Sequence, residues 1–197
     1  MGKIEDVTNK GITIRVEIKS MDCKHEYSSG SKNYLLCAYI DIMYEHHESV
    51  YLLIGKKLYG AAFALERSLF ETLFRALWVN ACASEEQIKQ ICTDDGFEFP
   101  RTMMNEIDKK YTTDGFFWQV KKGSWKAMCS YTHSGLLQIS RRFKGDDVDP
   151  YYCEGEIVEV LNASNIAILL MARLFFVSMN KTAEAQRVEN MMLQYES

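Results

Sequence analysis

Between Leu52 and Trp78 the apolar side chains recur at intervals of three and four, with Leu58, Leu65, Leu69, Leu73 and Leu77 interleaved with Phe63, Phe70, Phe74 and Trp78. That interval is the period of a helix with one side buried, and it commits the middle of the chain to helix. Two prolines in 197 residues are fewer than sandwiches and barrels with many turns use. With 47% hydrophobic and 25% charged residues, the chain has the composition of a folded globular domain rather than a disordered or fibrous one. The expected fold class is all-α, a helical bundle of about five to seven helices.

The same spacing predicts helices over residues 32–47 and 49–82, where Gly55 and Gly60 mark close packing, a kink or a break, because each costs about 1 kcal/mol against alanine in a helix interior. Ser84-Glu85-Glu86-Gln87 reads as a capping box that starts a short helix, and Pro100 opens another through Ile107. Longer helices are expected over 125–143, bent at Gly135, and over 154–179, with an amphipathic one over 181–195. Residues 11–19 instead alternate strictly and put Ile12, Ile14, Val16 and Ile18 on one face of an extended segment. The expected organisation is an N-terminal extended segment and polar linker over 1–31, followed by one helical domain over 32–197.

A net charge of −4 excludes the broadly basic surface that tracks nucleic-acid phosphates without regard to sequence, while leaving room for a local basic pocket. The six cysteines are scattered, without the close pairs of zinc ribbons or thioredoxin-like motifs, and read as reduced thiols. The start Met1-Gly2-Lys3-Ile4-Glu5-Asp6 is polar, and the apolar stretch 166–177 is interrupted by Arg173. The expectation is a cytoplasmic protein with no membrane segment, in which 166–177 belongs to a buried helix.

Two polar constellations stand out. Arg67, Glu71 and Arg75 are four residues apart, so Glu71 reaches both guanidinium groups from one helix face. If exposed, they form a salt-bridge ladder; if buried, they need a complete hydrogen-bond network, and the surplus positive charge suits a phosphate or carboxylate. Ser130-Tyr131-Thr132-His133-Ser134-Gly135 packs five hydrogen-bonding side chains beside one glycine in an otherwise apolar segment. His133 becomes functional if it faces Arg67 or Arg75, since nearby cations favour the neutral imidazole that a general base needs. Asn165, polar within an apolar helix, is either a positioning group or an interhelical hydrogen bond. Glu45-His46-His47-Glu48 lacks the zinc-protease spacing and reads as a solvated face, and Arg141-Arg142-Phe143-Lys144 reads as a surface turn. No metal and no cofactor is expected.

The pattern Ala64-Leu65-Glu66-Arg67-Ser68-Leu69-Phe70-Glu71 with Arg75-Ala76-Leu77-Trp78, then Trp125-Lys126 and Ser130-Tyr131-Thr132-His133-Ser134-Gly135-Leu136-Leu137-Gln138, resembles a bacterial all-helical family of unknown function over roughly residues 53–176. More distantly it is similar to HEPN-type helical domains, including abortive-infection proteins, many of them metal-independent ribonucleases of toxin or phage-defence systems. The resemblance implies a helical bundle, often a homodimer, with an arginine–histidine site and an RNA or nucleotide ligand. His133 would take the ribose hydroxyl proton, Arg67 and Arg75 would stabilise charge on the phosphate, and Glu71 would fix the arginines, with Tyr131, Ser134 and Asn165 as positioning groups. The alternative is a non-enzymatic helical interaction or scaffold protein, with an internal polar network and a protein partner.

Overall fold

The computed structural model describes residues 2–21, 30–94 and 96–196. Among them are nine helices: α1 (Lys3–Met21), α2 (Lys32–Gly55), α3 (Tyr59–Ala81), α4 (Glu85–Thr93), α5 (Met103–Tyr111), α6 (Phe116–Thr132), α7 (Leu136–Ser140), α8 (Glu154–Ser178) and α9 (Thr182–Glu196). A minimal antiparallel hairpin, β1 (Phe143–Lys144) and β2 (Asp147–Val148), pairs Phe143 with Val148. The all-α class stands, with more helices than five to seven. Most of the polar link expected over 22–31 lies outside the described residues.

The N-terminal segment corrects the sequence expectation, because residues 11–19 are helical rather than extended. Gly11, Ile14, Ile18 and Met21 are buried, while Ile12 and Val16 are exposed. Ile4, Val7, Gly11, Ile14, Ile18 and Met21 form a three-four row that overlaps the alternating set at two of its four members, and burial against α8 selects the helical row. Ile14, Ile18 and Met21 join the same apolar core as Leu36, Leu73 and Phe176.

A second correction moves the first helix break from the neighbourhood of residue 48 to Lys56-Lys57-Leu58. Nothing stops the helix at His47–Ser49, whereas beyond Gly55 the chain turns through Lys57, whose φ of 59° is left-handed. The Lys57 and Leu58 N–H groups donate to the Ile54 and Leu53 carbonyls at 2.9 and 2.8 Å, satisfying the end of α2. The helix expected over 125–143 also differs. It starts at Phe116, runs through Gly123 and Ser124, and stops at Thr132.

The core lies where α3 and α8 meet α2, filled by Phe74, Trp78, Leu69, Leu73, Phe175 and Phe176, each at most 1% exposed. The α8 helix is long and apolar enough to cross a membrane by composition alone, yet 67% of its most apolar window is buried inside the protein. It is the buried helix that the sequence suggests.

The start of α6 is fixed from outside the helix. The buried Asp108 carboxylate on α5 accepts the Phe117 and Trp118 N–H groups, both at 2.9 Å, and the Thr113 hydroxyl at 2.5 Å. It satisfies donors that no residue at the helix start could reach, since Gly115 occupies the cap position. Asp108→Ala should therefore lower stability by about 2 kcal/mol, measured as a shift in the urea midpoint, because it leaves N–H groups unpaired at a partly buried helix end.

Candidate functional site

At the end of α6 the polar run 130–135 is first of all a helix stop. His133 is the C-terminal cap, Ser134 is left-handed at φ 53°, and the Gly135 N–H returns to the Ser130 carbonyl. A Cβ on Gly135 would sit 2.6 Å from Ser130 Oγ, so a side chain there would push the Ser130 hydroxyl from its place in the turn. The Ser130 hydroxyl accepts the Leu137 N–H at 3.0 Å, and the Thr132 hydroxyl donates towards the Met128 and Ala64 carbonyls at 2.9 and 3.1 Å. Ser130 and Thr132 are thus used by the backbone, and Thr132 ties the end of α6 to α3.

That tie sets His133 against α3. An Arg67 Nη1 N–H donates to His133 Nε2 at 2.5 Å, on an exposed imidazole. A guanidinium only donates, so Nε2 accepts and the hydrogen of the neutral ring sits on Nδ1. The Arg67 guanidinium lies 5.2 Å from the centre of the Trp125 ring, its Nε has no hydrogen-bond partner, and Glu71 Oε2 stands 3.9 Å away. Arginine, histidine and indole therefore converge at the α3–α6 seam.

The other sequence candidates separate. Arg75, two turns and about 12 Å along the axis from Arg67, donates to Glu71 Oε1 at 2.5 Å and lies over Phe99 at 4.8 Å. With Glu71, Tyr39, His46 and Ser68 it lines a groove of about 300 Å³ between α2 and α3. The arginine–glutamate row is a half-exposed ladder with side chains 22–42% accessible, worth about 0.2–0.5 kcal/mol per pair. Ser134 is exposed on the turn, and Tyr131 points to the opposite side of α6, edge-on to Phe63 at 5.1 Å. Asn165 is fully buried in the bundle, away from all of these.

Asn165 instead centres a network that joins four helices. Its Oδ1 accepts from His47 Nε2 at 2.9 Å and from the Tyr51 hydroxyl at 2.6 Å, and its Nδ2 donates to Tyr195 Oη at 2.9 Å. Tyr195 in turn donates to Asn162 Oδ1 at 2.5 Å, and Arg15 Nη1 donates to His47 Nδ1 at 3.3 Å. His47, expected on a solvated face, is 0% exposed. The sequence signal was available in Val50, Tyr51 and Ile54, which share its helix face, but four adjacent polar residues obscured it.

A second feature that sequence reasoning missed is a cleft of about 460 Å³ between α3, α6 and α8, walled by Phe63, Met128, Tyr131 and Val160 and holding Glu66, Glu156 and Glu159. Arg141 pairs with Glu156 across it. Burial, then the nearby Glu159 charge, push the Glu66 carboxyl up to about 7. In sequence Glu66 stands next to the Arg67–Glu71–Arg75 row but off its spacing, and nothing local marks it.

Taken together, these features define an all-helical protein with an arginine–histidine–tryptophan cluster on one seam and a buried polar node elsewhere. Residues 40–197 match a family of unknown function, DUF6988, and the chain belongs to that family. No curated protein and no solved structure matches it. Among the described residues no three His, Cys, Asp or Glu side chains are grouped as metal ligands.

Glu66 gives the cleft a measurable signature. Its carboxyl binds protons more tightly in the folded state (about 7) than at the ordinary value of 4.5, so between these pH values the folded state holds more protons and stability falls as pH rises. Glu66→Gln should remove that decline and raise stability above neutral pH by up to about 3 kcal/mol, as read from denaturation midpoints across the pH range.

Proposed function

We propose that this chain binds RNA or a nucleotide at the α3–α6 seam, with a phosphate taken by Arg67 and His133. The observation that carries the reading is the placement of Arg67, held over Trp125 and against the exposed His133. A planar guanidinium whose Nη groups sit beside an exposed imidazole offers donors to a phosphate that draws Arg67 from His133 Nε2. Trp118, Lys121, Lys122 and Trp125 follow one another on the adjoining face of α6, with Lys122 at 4.8 Å from the Trp118 ring centre and Lys121 at 5.2 Å from that of Trp125. Aromatic planes alternating with cations suit stacked bases and a backbone running past them. They supply locally the positive charge that a chain of net charge −4 lacks overall.

The HEPN-like ribonuclease reading is the catalytic form of the same proposal. In the free protein the Nε2 lone pair of His133 is engaged by Arg67 and is not a ready base. A phosphate that draws Arg67 away frees that lone pair for a ribose hydroxyl, while Glu71 keeps Arg67 and Arg75 aligned. With cleavage, the resemblance to HEPN-type domains would suit a role in a phage-defence or toxin system.

The test is anisotropy with a short fluorescein-labelled single-stranded RNA in chelator, with cleavage followed in the same tubes. Binding should weaken with salt and fall at least about tenfold in Arg67→Met. Cleavage by wild type that is absent in a folded His133→Ala variant supports the ribonuclease form, binding without cleavage supports the non-catalytic form, and absence of binding overturns both.

A second reading, a homodimer or a complex with a protein partner, is favoured by the apolar residues on α7 and the hairpin. Leu136 is 77% and Val148 75% exposed, with Ile139, Phe143 and Tyr151 also exposed, Phe143 and Val148 are paired across the hairpin, and exposed apolar patches mark contact sites. Sedimentation should give a dimer that the double variant Leu136→Asp, Val148→Asp converts to a monomer; a wild-type monomer ends the homodimer form.

A further inference from the structure

The N-terminal helix is an unusual helix by its own composition. Eight of its 19 residues, Ile4, Val7, Thr8, Ile12, Thr13, Ile14, Val16 and Ile18, are β-branched, and Gly11 sits in its interior. Such a segment gains little from helix formation alone, so its helicity is conferred by docking. It also lies outside residues 40–197, the part of the chain that matches the family.

Its seat is narrow and polar at the centre. Gly11 lies directly on the buried node, where a Cβ would stand 1.8 Å from Tyr51 Oη and 2.4 Å from Asn165 Oδ1. Four residues on, Arg15 reaches His47 Nδ1 at 3.3 Å and Glu48 Oε1 at 3.9 Å. Along its other flank α1 meets α9 only sparsely, and a cleft of about 390 Å³ opens between them, lined by Asn9, Thr13, Glu17, Met191 and Tyr195 among others.

We propose that α1 is a detachable arm, folded only while docked on α2 and α8, whose attachment is controlled by the contact between Arg15 and His47. The contact depends on a neutral imidazole, because Nδ1 must accept from a guanidinium that can only donate. Protonation puts a hydrogen on Nδ1 and sets two cations against each other at the same place. The groups that face His47 are Arg15 from α1, Tyr51 and, through Arg15, Glu48 from α2, and Asn165 from α8, with Tyr195 of α9 behind Asn165. None of them is a carboxylate bonded to the ring.

Burial, opposed by the Asn165 hydrogen bond and reinforced by Arg15, holds the docked imidazole at about 4, against 6.5 for an unperturbed ring. A released arm returns His47 towards water, so the open form binds the proton more tightly and opening grows as pH falls from about 6.5 towards 4. Lifting α1 uncovers Tyr51, Asn165 and the apolar positions that Ile14 and Ile18 now cover.

The test is amide hydrogen exchange on the full chain at about pH 7.5 and about pH 5, corrected for intrinsic rates, where the arm's protection should fall roughly 30-fold at the lower pH. Protection in α3 and α8 should hold. No pH dependence in α1, or an equal loss in α8, overturns the proposal. His47→Gln keeps a neutral donor towards Asn165 and should flatten the pH profile of α1, a readout that packing alone would not move; an unchanged profile overturns it. Gly11→Ala at neutral pH is an independent trial. Loss of protection confined to α1 supports a detachable arm, whereas retained protection of α1, or loss throughout the bundle, overturns it.

Discussion

The bundle depends on a polar interaction placed where apolar contact alone would be expected. Asn165 sits at 0% exposure on the most apolar helix of the chain, and leaving its amide unpaired there would cost several kcal/mol. Its partners come from α2 and α9, and the Gly11 backbone of α1 packs against the same node. Because these hydrogen bonds are directional, they fix the rotation of α8 about its axis relative to α2 and α9, which interdigitated leucines and phenylalanines permit more loosely.

Once α8 is oriented, α3 packs beside it and presents its charged row to the outside. The buried face of α3 carries Leu69, Leu73, Phe74, Ala76 and Leu77, so Arg67, Glu71 and Arg75 fall at the boundary with solvent. The seam with α6 then depends on two local devices. Asp108 on α5 fixes where α6 begins, and the Ser130–Gly135 turn fixes where it ends. Between them Trp125 and His133 are brought to Arg67, while Tyr131 is turned to the Glu66 cleft and Arg75 is left in the α2–α3 groove.

Much of this was legible in the residues. The capping box at Ser84 and Gln87 is present as read, with Ser84 N–H to Gln87 Oε1 at 2.9 Å and Gln87 N–H to Ser84 Oγ at 3.2 Å, because such a motif is satisfied within four residues. The α8 and α9 helices have nearly the expected limits. Whether Arg67 and His133 meet across 66 residues was not legible, and the packing of α6 on α3 decides it. What escaped were choices between equivalent local patterns. Ile12, Ile14, Val16 and Ile18 serve a strand, while Ile4, Val7, Gly11, Ile14, Ile18 and Met21 serve a helix, and only the neighbouring surface distinguishes them. Likewise nothing in Glu45-His46-His47-Glu48 says that one of four adjacent polar residues turns inward.

The sequence by itself determined the class of fold and the register of most helices, since both follow from apolar periodicity and from caps that act within a few residues. Tertiary structure decided whether α1 is a helix, which face α6 turns to α3, and which polar side chains are buried. Those outcomes rest on contacts between residues far apart in the chain, such as Gly11 with Asn165 and Thr132 with Ala64, and the free energy of such contacts exists only once both surfaces have formed.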